Sequence, residues 1–125
     1  MARLFFAIAA LLGALSVAGG AFGAHALKGT LTESALGSFE TGVRYQMYHA
    51  IALLVVAALL GQYPDAKGLV TVGWCFVAGV VLFSGSLYGL SLAGIKALGP
   101  VTPLGGVAFI VGWCLLAWTS RTLFA

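Results

Sequence analysis

Charge is scarce in this chain: 7% of its 125 residues carry it, and only 3 are acidic. A soluble globule carries charge on about a quarter of its residues, so that class is excluded. With 6 Lys and Arg in total, there is no basic cluster of the kind a nucleic-acid surface needs, and no nucleic-acid partner is expected. The near absence of carboxylates also leaves no paired acids for acid–base chemistry and none at metal-ligand spacing. No glycine-rich phosphate loop, Ser-His-Asp order or zincin motif is present. The two cysteines, Cys75 and Cys114, both lie in apolar runs and are expected to be reduced and buried as small hydrophobes.

What the chain has is apolar length. It is 62% hydrophobic, and the runs Leu4 to Ala24, Gly68 to Ile95 and Ala97 to Ser120 contain no charged side chain. Each meets the roughly 20 residues that a helix needs to cross a bilayer. Ala50 to Leu60 is wholly apolar but rises only about 16 Å at 1.5 Å per residue, about half of a hydrocarbon core of roughly 30 Å. Pro64 and Asp65 follow almost at once, so that helix must lengthen upstream and take Arg44, Gln46 and His49 into or beside the membrane. Strand-like alternation is missing, and backbone in lipid must satisfy itself. The expected fold is therefore all-α: an integral membrane bundle of four antiparallel transmembrane helices in a single domain over residues 1–125, with spans near 4–24, 41–62, 69–92 and 103–120.

Local signals fill in the frame. Ala24-His25-Ala26 has the small-x-small form of a signal-peptidase site, but the apolar run before it is longer than a signal core, so the segment is taken as the first span. Thr30-x-x-Glu33 fits a capping box and predicts a short interfacial helix before helix 2, with a bend near Gly37 or Gly42. Thr102 is the expected N-cap of helix 4, with Pro103 at its first position. Val72-Gly73-Trp74-Cys75 and Val111-Gly112-Trp113-Cys114 echo one another and fall at similar depth in an antiparallel pair.

Short connections place the end of helix 1, the start of helix 2, the end of helix 3 and the start of helix 4 at one membrane face. That face collects a candidate polar pocket: His25, Arg44, Tyr45, Gln46, His49, Ser84, Ser86, Tyr88 and Thr102. Projected at about 100° per residue, Arg44, Tyr45, Gly42, Gln46 and His49 turn towards the bundle, and Val43, Met47, Ala50 and Leu54 towards lipid. Ionisable groups in a span are functional candidates because placing them there costs a few kcal/mol. The competing reading is that they are interhelical glue, each bond contributing about 0.6 kcal/mol and at most about 2. Two histidines are an incomplete first shell for zinc, so no metal site, cofactor or catalytic residue is assigned.

The stretches "GAFGAHAL" (Gly20 to Leu27), "FETGVRYQMYHA" (Phe39 to Ala50), "LFSGSLYGL" (Leu82 to Leu90) and "TPLGGVAFIVGW" (Thr102 to Trp113) resemble the YgdD-like family of small four-helix inner-membrane proteins. The resemblance covers nearly the whole chain, implies a multi-pass protein of a bacterial plasma membrane, and brings no catalytic residue with it, since the family carries a domain of unknown function.

Three functions compete on the sequence. The first is a non-catalytic accessory or assembly protein in the lipid bilayer, whose polar face meets a membrane-protein partner or another copy in a homo-oligomer. The second is a subunit for small-solute or ion transport, with Arg44, Gln46 and His49 along a pathway; Arg3, Lys67 and Arg121 on one face balance Lys28, Arg44 and Lys96 on the other, which suits dual topology, but no acidic residue lies mid-membrane. The third is a metal- or haem-binding redox protein.

Overall fold

The computed structural model describes residues 1–124; Ala125, the last residue of the expected domain, lies outside them. Helix α1, Ala2–Phe22, runs on through a π turn at Gly23–Leu27. Helix α2 is Glu33–Gln62. Helix α3, Lys67–Gly79, joins α4, Gly85–Ala93, through a second π turn at Val80–Ser84. A 3-10 turn at Lys96–Val101 leads into α5, Thr102–Leu123. Among the described residues there are four helical stretches of 26, 30, 27 and 28 residues, each long and apolar enough to cross a membrane.

Helix α2 begins at Glu33, with its cap two residues later than the expected one at Thr30. The Thr30 hydroxyl turns back to donate to the Ala26 carbonyl at 2.7 Å, which closes the first span instead of opening the second. Thr32 is the N-cap, and its hydroxyl accepts the Ala35 N–H at 3.2 Å. The segment expected as a separate interfacial helix is continuous with α2, without a break at Gly37 or Gly42. Thirty residues rise about 45 Å, enough to cross the hydrocarbon and both headgroup layers, so the first turns of α2 reach the interface without leaving the helix. At the other end of the third span, Gly94 holds φ at 67° and ends α4 in the left-handed conformation that glycine adopts without strain.

Hydrophobicity does not drive helices together in lipid, where tails are as apolar as leucine; close packing and hydrogen bonds do. Here aromatic rings seat in glycine notches on neighbouring helices. Phe5 of α1 lies over Gly73 of α3, Phe76 of α3 over Gly112 of α5, and Phe109 of α5 over Gly79. The echo is thereby explained: Gly73 and Gly112 are the notches, at matching depth, and the half-exposed Trp74 and Trp113 beside them pack on the seated rings, Trp74 edge-on to Phe5 at 5.4 Å and Trp113 against Phe76 at 5.1 Å between ring centres. Phe5, Leu53, Val56, Leu69, Val72 and Phe76 form the fully buried centre of this half of the bundle. The other half is held by polar contacts.

Helix α2 is the central element, in contact with α1, α3 and α4 and, through His49, with α5. Its burial differs from the expected projection. Gly42, Gln46, His49 and also Ala50 are buried, whereas Arg44, Tyr48, Ile51 and Val55 form the exposed stripe. A helix packed on three sides hides a wider arc than half its circumference, and a projection that groups polar residues inward cannot show which of them falls in the remaining gap.

Candidate functional site: a hydrogen-bonded seam

The polar residues of the near half are distributed over four separate contacts. In the first, Gln46 reaches from α2 to α1, its Nε2 donating to the Leu12 carbonyl at 2.9 Å. The Tyr88 hydroxyl of α4 donates to Gln46 Oε1 at 2.8 Å. One amide thus joins three helices. Ser16 turns its own hydroxyl to the same Leu12 carbonyl at 2.8 Å.

The second and third contacts fix the third span. Ser84 is fully buried and donates to the Gly42 carbonyl of α2 at 2.7 Å. Ser86 meets Thr102 of α5, hydroxyl to hydroxyl, at 2.6 Å. Thr102 is therefore a cross-helix partner rather than the expected cap: α5 starts at Thr102 itself, with Val101 at the N-cap position and no side-chain bond there. The π turn at Val80–Ser84 ends on the first of these residues and adds a residue to its turn, which sets the phase of Ser84, Ser86 and Tyr88 relative to the core residues of α3. At the same level, the backbone of Phe83 presses on Gly105 of α5 so closely that a Cβ there would overlap it.

The fourth contact holds His49. Its Nδ1 lies 2.8 Å from the Tyr45 carbonyl, and its Nε2 accepts the indole N–H of Trp113 at 3.1 Å. The carbonyl can only accept and the indole can only donate, so the ring is the Nδ1–H tautomer. It stacks on Phe109 at 3.5 Å and 8° between planes, with Phe76 at 5.4 Å. Both nitrogens are taken, and neither lone pair is free for a metal. Among the described residues no group of three or more His, Cys, Asp or Glu could hold a metal ion, and no buried side-chain nitrogen or oxygen lacks a partner.

Three expected members stand apart. His25 is exposed on the first π turn. Arg44 is exposed and lines a shallow groove of about 440 Å³ with Gly20, Phe39, Glu40 and Val43. Tyr45 is 40% exposed and packs on Phe83 at 4.6 Å between ring centres. From Gln62 back to Arg44 the helix rises about 27 Å, so the guanidinium sits near the hydrocarbon boundary, where an arginine can reach headgroups. Sequence reasoning named both sides of the Ser86–Thr102 and Gln46–Tyr88 contacts but not the Leu12 and Gly42 carbonyls, Phe109 or Trp113 as partners. Backbone acceptors carry no sequence signal; Trp113 did, through the echo.

A family described as proteins of unknown function (DUF423) matches residues 19–106. The UPF0382 membrane protein YwdK of Bacillus subtilis is 47% identical, the match covering 91% of this chain and 93% of that protein. A UPF0382 membrane protein of Staphylococcus aureus is 44% identical over 91% of this chain and 92% of its own. No solved structure matches. The matched region contains the Ser84–Gly42, Ser86–Thr102 and Tyr88–Gln46 contacts and His49, while Leu12, Phe109 and Trp113 lie outside it, and a 47% identical relative runs beyond it at both ends; on those matches this small membrane protein belongs to the DUF423 family of unknown function.

Proposed function

We propose that the protein is a non-catalytic accessory or assembly protein of a bacterial inner membrane, the compartment that the YgdD-like resemblance implies. The observation that carries this reading is the saturation of the seam. Gln46, His49, Ser84, Ser86 and Tyr88 each make a hydrogen bond to another helical stretch, and the second nitrogen of His49 is taken by the Tyr45 carbonyl of its own helix. A transport pathway needs polar groups facing a wet cavity, and a redox site needs free ligands; His49 offers neither, with aromatic rings against it and both nitrogens engaged. Chemistry towards a partner is left to the rim, where Glu40 and Arg44 are exposed beside the first π turn. The partner on this reading is a second membrane protein or another copy of the chain, met at the interface level by the Arg44 guanidinium.

The test uses the full chain in its own membrane. Crosslinking from a photoreactive residue at Tyr48, on the exposed stripe one turn from Arg44, is expected to capture one defined protein, and Arg44→Glu to abolish that capture while the protein stays folded. Solute flux through vesicles that contain the purified protein alone would replace this reading with the transport one.

A further inference from the structure

Between α1 and α4, with α2 as its floor, runs a cleft of about 600 Å³. Its walls are Leu15, Ala18 and Phe22 on one side and Leu92 on the other, and the Gln46–Tyr88 pair lies at its bottom. We infer that this cleft is a binding site for one acyl chain of a bilayer phospholipid. The inference does not depend on the accessory reading.

Three observations lead there. The volume falls within the roughly 300–1,000 Å³ usual for ligand sites, and the lining is apolar apart from one hydrogen-bonded pair whose polar atoms already face each other. The mouth is formed by Leu15, Phe22 and Leu92, which are 61%, 51% and 50% exposed. Leu15 and Phe22 lie on the same flank of α1 as Leu11, one turn before Leu15 and 65% exposed, a surface that in a spanning helix touches lipid. The cleft is thus continuous with the lipid contact surface, and what enters it comes from the bilayer. Finally, the axis suits a chain. Leu15 to Phe22 covers about 10 Å along α1, and the cleft begins near the end of α4 at Leu92, where headgroups lie, and descends towards Gln46. A neighbouring helix, about 10–12 Å across, would rest on the rim, whereas an extended chain reaches the floor between Ala18 and Tyr88.

Small side chains keep the cleft open. Ala18 is exposed, so a larger residue there projects into the cleft without displacing a helix. The experiment reconstitutes the full chain in vesicles of phosphatidylethanolamine and phosphatidylglycerol, extracts it in mild detergent and weighs it intact. A single phospholipid is expected to stay on the protomer. Ala18→Phe should lower that retention about tenfold, equivalent to about 1.4 kcal/mol, and Ala7→Phe, an exposed alanine on the same helix outside the cleft, should leave it unchanged. Leu92→Trp, at the mouth, should act in the same direction as Ala18→Phe and covers the case in which that variant does not fold. Equal retention in all four proteins, or no retained lipid in any, overturns the proposal. So does a retained second chain that is lost with Ala18→Phe, which would make the cleft a protein interface.

Discussion

Trp113 holds His49 by its Nε2 at 3.1 Å, across 64 positions of sequence. The Tyr45 carbonyl holds the opposite nitrogen at 2.8 Å. An imidazole fixed at both ends and stacked on Phe109 is a joint between α2 and α5, two helices that otherwise meet chiefly through this ring. Its energetic role can be read by taking the two partners away separately and together.

A double-mutant cycle with His49→Phe and Trp113→Phe keeps a ring at each place and removes only the bond. Interhelical bonds of this kind contribute about 0.6 kcal/mol, and at most about 1.7. Reversible unfolding in mixed detergent micelles should return a coupling energy in that range. His49→Phe alone should cost more than the coupling, about 1–3 kcal/mol, because it leaves a donor on Trp113 and an acceptor on Tyr45 to be satisfied elsewhere. A coupling of zero would mean that the contact is incidental.

Glycine notches give an ordered series. At Gly105 an added Cβ meets the Phe83 backbone, which cannot swing aside; at Gly112 it meets the Phe76 ring at 2.7 Å, which can turn a little; at Gly13 nothing lies within 4 Å. Gly105→Ala should therefore destabilise most, by about 1–3 kcal/mol or more, with Gly112→Ala between. Gly13→Ala should be neutral or stabilising by up to about 1 kcal/mol, since alanine is the better helix former. Thermal unfolding in one detergent ranks all three. A large loss at Gly13 would show that α1 packs on something other than the faces described.

An all-helical chain with four helices long and apolar enough to cross a membrane was legible because charge-free length has few other uses. Finer features depended on contacts that no local pattern records. Thr30 and Thr32 are equally good caps by type, and the choice fell to Thr32 because Thr30 could close the preceding π turn on Ala26. The polar residues of the near half could be singled out from the sequence, but their grouping needed the partners. Ser86 belongs with Thr102, Gln46 with Tyr88 and Leu12, and Arg44 with none of these. The π turns were invisible, since one extra residue in a turn changes neither composition nor hydrophobic pattern.

That extra residue makes a prediction of its own. Val81 is 64% exposed within the five-residue π turn. Deleting it should convert the turn to ordinary α-helix while Ser84, Ser86 and Tyr88 keep their phase against α3. Deleting Val55, equally outward at 50% exposed but inside regular α2, rotates everything beyond it by about 100°. The Val81 deletion should retain folded protein in detergent, and the Val55 deletion should not. If both fail alike, the turn carries more than register.

The last prediction concerns water. In a background of Cys75→Ala and Cys114→Ala, single cysteines at 44, 49 and 84 are exposed to a membrane-impermeant thiol reagent added from one side of sealed vesicles. Arg44 lies on the exposed stripe near the hydrocarbon boundary, so Arg44→Cys should react, and only from the face that holds His25 and Lys96. His49 is 5% exposed between Phe109 and Phe76, so His49→Cys should stay unreacted from either face. Replacing an imidazole by a thiol leaves a void that water could fill, however, and Ser84→Cys guards against that. Serine and cysteine are nearly isosteric, and Ser84 is fully buried with its hydroxyl on the Gly42 carbonyl, at the centre of the same seam. No labelling at 84 means the seam is dry, and labelling at 49 alone then reports the void. Labelling at both from the His25 face would put water along the seam, and the hydrogen bonds described here would then line a pathway instead of sealing one.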